Sequence, residues 1–211
     1  MAEPRTERGR ETRGKILATA ARLFHEHGVT ATSVEHVLAE AQAGKSQFYR
    51  YFPSKEDLVS EVIRYQSDHQ LGWQRTLLEG LDDWEGLEAY LDALVTFHTG
   101  RDLIGGCPLG SLAAELADQN EKHRRELAEV FASWQASIEQ GMAKMRAVGK
   151  LRSDADPSRL AAATLAGMQG GYLLSTLNKD MRPMKDALEA ILAYLRSFEA
   201  SAMGEGPGTE R

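Results

Sequence analysis

Between Gly44 and Pro53 the chain places Lys45, Ser46, Gln47, Tyr49 and Arg50 within six residues. Two cations, a hydroxyl, an amide and a phenol on one short segment suit contact with nucleic acid. Amides and hydroxyls bond base edges, while cations and tyrosine hydroxyls hold phosphates. If the segment is helical, Phe48 and Phe52 at i and i+4 turn inward together and the five polar side chains face out. Gly44-Lys45-Ser46 invites a phosphate-loop reading, but that motif needs a glycine at position 39, where Ala39 stands, and a preceding strand. No nucleophile–base pair or paired carboxylates occur at a workable spacing, so no catalytic residue and no enzyme activity is expected. His25, His27, His36, His69, His98 and His123 form no His-x-x-x-His pair and follow no acidic residue by three or four. Neither a metal site nor a cofactor is expected. Cys107 is the single cysteine, which excludes an internal disulfide. It stands after two glycines and before Pro108, where a small buried residue beside a ligand chamber is the stronger reading and a redox thiol the weaker one.

The elements that position the polar segment are helices. Ile16, Leu17, Ala20, Leu23 and Phe24 form an amphipathic stripe over about residues 10–27, ended by Gly28. Thr32 and Ser33 offer N-cap chemistry for a two-turn helix carrying Val34, Val37, Leu38 and Ala41. A brief Gln42-Ala43-Gly44 turn leads to the polar helix, which Pro53 stops. Ser54 with Asp57 begins a long helix expected to run to about Leu81. Further helices are expected at about 84–99, 108–118, 120–147, 157–177 and 183–202, with Asp156-Pro157 a clean start. No segment alternates as a strand does, so the fold class is all-α with about nine helices: an N-terminal three-helix unit and a larger C-terminal bundle.

With 211 residues the chain can bury one sizeable core or two smaller units. The net charge of -6 is unevenly spread. Residues 1–55 carry nine Lys/Arg against six Asp/Glu, and residues 56–211 carry sixteen against twenty-five. The asymmetry suggests two jobs in one chain, divided as 1–55 for nucleic acid and 56–211 for the rest. No apolar run approaches the roughly 18 to 20 residues of a membrane helix, and the first fifteen residues are polar and Arg-rich, so a cytoplasmic protein without membrane contact is expected.

Ala41-x-x-x-Lys45-Ser46-x-Phe48-Tyr49-x-Tyr51-Phe52-Pro53-Ser54-Lys55-Glu56-Asp57-Leu58 resembles the helix-turn-helix signature of TetR-type repressors. Ala20-x-x-Leu23-Phe24-x-x-x-Gly28-x-x-x-Thr32-Ser33-Val34 is similar to the same family's entry to that motif. The stretch from Gly106 to Glu115 is similar to one in the LmrA/YxaF-like subgroup. The turn departs from the family pattern: Gln42 stands for glycine, Ala43 for a branched residue and Gly44 for serine. The resemblance implies a regulator of double-stranded DNA, a repressor by default, released from a pseudo-palindromic operator by a small-molecule effector. Lys45, Ser46 and Gln47 would meet bases or nearby phosphates. Thr32, Tyr49, Tyr51 and Lys55 would grip the backbone, with Arg50 intermediate, and Arg5, Arg8, Arg10 and Arg13 could add a minor-groove arm.

The larger unit offers an apolar pocket between helices, for which Trp73, Phe97, Cys107, Trp134, Met142, Met168 and Tyr172 are the candidates. Its acidic balance favours a neutral or cationic ligand. Small residues on the penultimate helix, Gly167 and Gly171 with Leu160 and Thr164, and an apolar stripe on the last, Leu188, Ile191, Leu192 and Leu195, are expected to form a four-helix homodimer interface. The alternative is that both stripes close the monomer's own core.

Overall fold

A computed structural model describes residues 6–99 and 106–200. Ten α-helices follow one another in the described residues: α1 (Glu7–His27), α2 (Val34–Ala41), α3 (Lys45–Tyr51), α4 (Lys55–Gly72), α5 (Arg75–Glu79), α6 (Trp84–Thr99), α7 (Pro108–Leu116), α8 (Glu121–Ala147), α9 (Pro157–Asn178) and α10 (Arg182–Arg196). The all-α expectation holds. An isolated antiparallel bridge joins Leu151 to Glu199.

Local chemistry sets the boundaries. Thr6 Oγ1 accepts the Gly9 amide at the start of α1. Gly28, at φ 84°, ends that helix in a region open to glycine. Ser33 Oγ accepts from His36 N, Ser54 Oγ from Asp57 N, and Asp156 Oδ1 from Ser158 and Arg159 N, so the caps read from sequence are the caps used.

Two boundaries differ from the sequence reading. The long helix expected to reach Leu81 stops at Gly72, and a five-residue helix follows, which raises the count above nine. At the break Gln74 is fully buried, its side-chain amide donates to the Gln70 carbonyl at 2.7 Å, and its Oε1 accepts from Tyr90 Oη at 2.9 Å. Trp134 Nε1 closes the chain of bonds onto Tyr90 at 3.2 Å. Tyr90 and Trp134 lie on α6 and α8, so the break is held by tertiary contacts that no local pattern announces. The last helix stops at Arg196 because the chain turns to place Phe198 O on Arg152 N and Ala200 N on Lys150 O.

One apolar core runs through the described residues. Ile16, Phe24, Phe48 and Phe52 pack α1 and α3 together; Leu58, Val62 and Ile63 continue it along α4; Leu94, Trp134, Ile138 and Met145 fill the bundle. Within the protomer the α9 and α10 stripes pack on each other, as the alternative reading has it. Leu160, Thr164, Gly171, Leu188, Ile191 and Leu195 are buried inside the single chain. A Cβ on Gly167 would collide with the Ile191 side chain, and one on Gly171 would lie 2.7 Å from the Met184 sulfur. The small residues let α10 lie against α9 within the protomer; of the eight, Leu192 and Gly167 keep partial exposure. On α9 the large apolar side chains left outside are Leu173, Leu174 and Leu177, 69%, 49% and 74% exposed, and Val148 after α8 is exposed as well.

Candidate nucleic-acid interface and adjoining cavity

Helices α2 and α3 meet at a turn whose residues are unusual for their places. Gln42 caps α2 in the left-handed region, φ 51°, and the Ala43 amide returns to Leu38 O at 3.0 Å. A non-glycine residue in that region carries backbone strain. Gly44 begins α3 without a side chain to cap it. Gln47 compensates by accepting the Gly44 amide on its Oε1 at 2.8 Å. The turn therefore keeps a helix-turn-helix path.

On α3 the buried face is Phe48, Tyr51 and, just beyond, Phe52, while Lys45, Ser46, Tyr49 and Arg50 are exposed. Tyr49 is 58% exposed, with its ring edge-on to Phe48 at 5.2 Å. Lys45 Nζ lies 2.8 Å from Glu35 on α2. The pairing holds the lysine above and the glutamate below their ordinary ranges, through the hydrogen bond first and the charge second.

Three expected phosphate grips sit elsewhere. Thr32 is fully buried and its hydroxyl donates to Gly28 O at 2.7 Å, closing the end of α1. Tyr51 is buried with its ring against Phe52. Lys55 Nζ donates to Val29 O at 2.6 Å, and burial lowers its pKa despite the nearby Glu115. Gln47 is half-buried and occupied by its cap. Of the arginines expected in an arm, Arg8, Arg10 and Arg13 lie within α1, with Arg13 paired to Glu61 of α4 at 2.6 Å; Arg5 lies outside the described residues.

The loop joining α1 to α2 is held from the other side by a residue that sequence patterning did not single out. Glu115, near the end of α7, accepts the Val29 amide at 2.8 Å and the Thr30 amide at 2.7 Å. Burial opposes its charge, but those amides, the Thr30 hydroxyl and Lys55 outweigh it and hold the carboxyl below its usual range. Next to this clamp, His123 Nε2 lies 3.1 Å from Glu56 O and Lys122 lies 3.5 Å from Asp57, so α8 also holds the start of α4.

A cavity of about 590 Å³ opens where α1, α4, α6, α7 and α9 converge, within the range of small-molecule sites. Trp73, Phe97 and Tyr172 line it as expected, and the neighbours of Cys107, Gly106 and Pro108, are at its edge. Trp134, Met142 and Met168 do not line it; all three are buried in the bundle core. Cys107 N-caps α7 with its thiol against Gly110 N at 3.4 Å and Gln169 Nε2 at 3.7 Å, and burial raises its pKa, the reverse of a reactive thiolate. One wall is α1 itself, through Ala18, Ala21, Arg22 and His25. Arg22 spans from this wall to Glu40 of α2 at 3.1 Å. No cluster of three metal-ligating side chains occurs among the described residues.

The model of the bacterial regulatory proteins of the tetR family matches residues 16–62, and that of the tetracyclin repressor-like C-terminal domain matches residues 84–191. The chain belongs to the TetR family of bacterial transcriptional regulators. It is 31% identical to the HTH-type transcriptional regulator YxaF of Bacillus subtilis, over 90% of this chain and 98% of that one. It is 26% identical to the HTH-type transcriptional repressor DhaR of a Mycobacterium species, over 87% of this chain and 91% of that one. The fold is shared with a cysteine-substituted form of the TetR-family regulator CifR solved with 26-base-pair operator DNA, at a TM-score of 0.78 and 20% identity, over 92% of this chain and all of that one. As a TetR-family regulator the chain binds DNA through its helix-turn-helix. No helix among the described residues is long and apolar enough to cross a membrane.

Proposed function

We propose that this chain is a cytoplasmic, homodimeric repressor whose operator affinity falls when a small molecule enters the cavity beside α1. Residues 1–55 form the reading unit and 56–211 the sensing and dimerising unit, with no catalytic role. Lys45, Ser46, Tyr49 and Arg50 meet the DNA, while Thr32, Gln47, Tyr51 and Lys55 hold the reading helix in place. Two protomers meet through the exposed Leu173, Leu174 and Leu177 face of α9, which an isolated protomer would leave in water. Two-fold pairing sets the reading helices roughly 34 Å apart on a pseudo-palindrome.

The observation that carries this reading is that the cavity and the reading unit share α1. A ligand wedged against Ala21, Arg22 and His25 presses on the helix that α2 and α3 pack upon, and α7 runs from the cavity edge at Pro108 to the Glu115 clamp. The effector acts by population shift: it binds the arrangement that fits the operator less well, and linkage lowers DNA affinity by the same factor.

The test is fluorescence anisotropy of the protein against its own upstream DNA, with unrelated duplex as competitor, at low and physiological salt. Binding that survives competitor and weakens steeply with salt is the expected result. Weak binding erased by competitor at both salts would set aside autoregulation through this site.

A further inference from the structure

The cavity beside α1 carries unspent hydrogen-bond donors. Gln70 and Tyr172 are both 4% exposed, and Gln70 Nε2, Trp73 Nε1 and Tyr172 Oη are buried without a hydrogen-bond partner. All three residues line the same space. Buried polar atoms are nearly always paired, and leaving one unpaired is costly. The indole and amide nitrogens can only donate. Burial raises the Tyr172 phenol well above its ordinary range, so it too stays protonated. Three donors around one cavity ask for acceptors, and no side chain of the protein is in place to bond them.

The walls describe the rest of the guest. Trp73 and Phe97 lie parallel with centroids 4.3 Å apart, and the Tyr172 ring meets His98 at 4.2 Å, so the surfaces offered are flat and aromatic. The formally charged side chains at the lining, Arg22 and Glu26, are paired with each other at 2.7 Å, and Arg22 is held by Glu40 as well at 3.1 Å. Neither is spare to compensate a buried ionic group, and the other basic side chains at the lining are the imidazoles of His25, His69 and His98.

We infer that the cavity takes an uncharged, planar, conjugated molecule bearing carbonyl-type acceptor oxygens, received by Gln70, Trp73 and Tyr172. This rests on reading the cavity as the effector site and names the chemical class of that effector.

The test uses a matched pair of probes on the full chain: 9-fluorenone and fluorene, which share a flat skeleton and differ in the carbonyl, with 9-fluorenone-2-carboxylate as the charged counterpart. Isothermal titration measures each. The ketone is expected to bind about tenfold tighter than the hydrocarbon, the gain of one to two hydrogen bonds, and tighter than the anion. Tyr172→Phe, Gln70→Leu and Trp73→Phe should each weaken the ketone about three- to tenfold and leave fluorene unchanged, with circular dichroism checking that each variant stays folded. Equal affinity for ketone and hydrocarbon, tighter binding of the anion, no binding of any probe, or variants that weaken both neutral probes alike would overturn the inference. DNA release is read separately on labelled operator. Ketone binding that depends on the donors but leaves DNA bound supports the ligand class while overturning the effector role.

Discussion

Glu115 and Thr30 stand 85 residues apart in sequence, yet the carboxylate of the first accepts the backbone amide of the second at 2.7 Å. The other oxygen takes the Val29 amide, and Lys55 takes the Val29 carbonyl, so the loop of residues 28–33 is held at Val29 and Thr30 by two distant helices. The bend between α1 and α2 is thereby fixed from α7 and α4.

Removing that grip should loosen the reading unit. Glu115→Gln keeps the shape but offers one carbonyl oxygen to two amides, and should cost about 1 to 2 kcal/mol in urea unfolding. Because the folded carboxyl has a lowered pKa, its contribution is full above the unfolded value and disappears as the pH falls through the folded one. The variant should therefore show a flatter loss of stability on the acid side. Identical acid limbs for both proteins would contradict the clamp.

Lys45 and Glu35 form an exposed pair at the front of the reading unit, and DNA must compete with the glutamate for the lysine. Lys45→Ala should weaken operator binding and reduce the salt slope by about one, with helicity unchanged. Glu35→Gln should do the opposite, strengthening binding about two- to fivefold by removing a negative charge that faces the phosphates. Anisotropy titrations across salt separate the two effects, and a Glu35 variant that binds more weakly would place that residue among the contacts.

Dimer and fold should respond to different faces of α9. Leu173→Glu with Leu177→Glu places charges on the exposed stripe and should give monomers in sedimentation velocity while helical content is retained. Gly171→Leu forces a side chain into Met184 and should unfold the α9–α10 pair outright. Gly170, with open space around it, should accept alanine without loss. A double-glutamate variant that remains dimeric would move the interface elsewhere.

Gln42 carries a strained backbone in the turn before the reading helix. Gln42→Gly should relieve more strain than it adds in unfolded-state freedom, for a net gain of about 0.5 kcal/mol in thermal or urea unfolding. A loss of stability would show that the weak 3.5 Å contact from Lys15 to Gln42 Oε1 matters more than the backbone.

What could be read in the sequence was whatever is written locally. Ser33, Ser54 and Asp156 announced their helices, and the 3–4 spacing of Ile16, Ala20, Leu23 and Phe24 gave the buried face of α1. The outward Lys45, Ser46, Tyr49 and Arg50 followed from the period of one short helix. The bonds of Thr32 and Lys55 to Gly28 O and Val29 O were not legible, because those carbonyls belong to a loop whose path depends on the whole unit. The break after Gly72 was hidden for the same reason: Gln74 is held by Gln70, Tyr90 and, through Tyr90, Trp134. Of the seven cavity candidates Trp73, Phe97 and Tyr172 line the space; aromatic type marks a residue as large and apolar without saying whether it faces a void or a neighbour. The small-residue run on α9 signalled close helix approach, but composition does not say whether the approaching helix comes from the same chain.

The α1 wall of the cavity ties two histories together. Substitutions at Ala21 or Arg22 that retune the chamber for a new compound also disturb the helix on which the reading unit is built, so selection for DNA recognition restrains them. The other walls carry Trp73 stacked on Phe97 of α6, and Tyr172 of α9 against His98. Descendants of this protein that acquire new inducers should accumulate their changes there, leaving the α1 side as the slowly evolving half of the chamber.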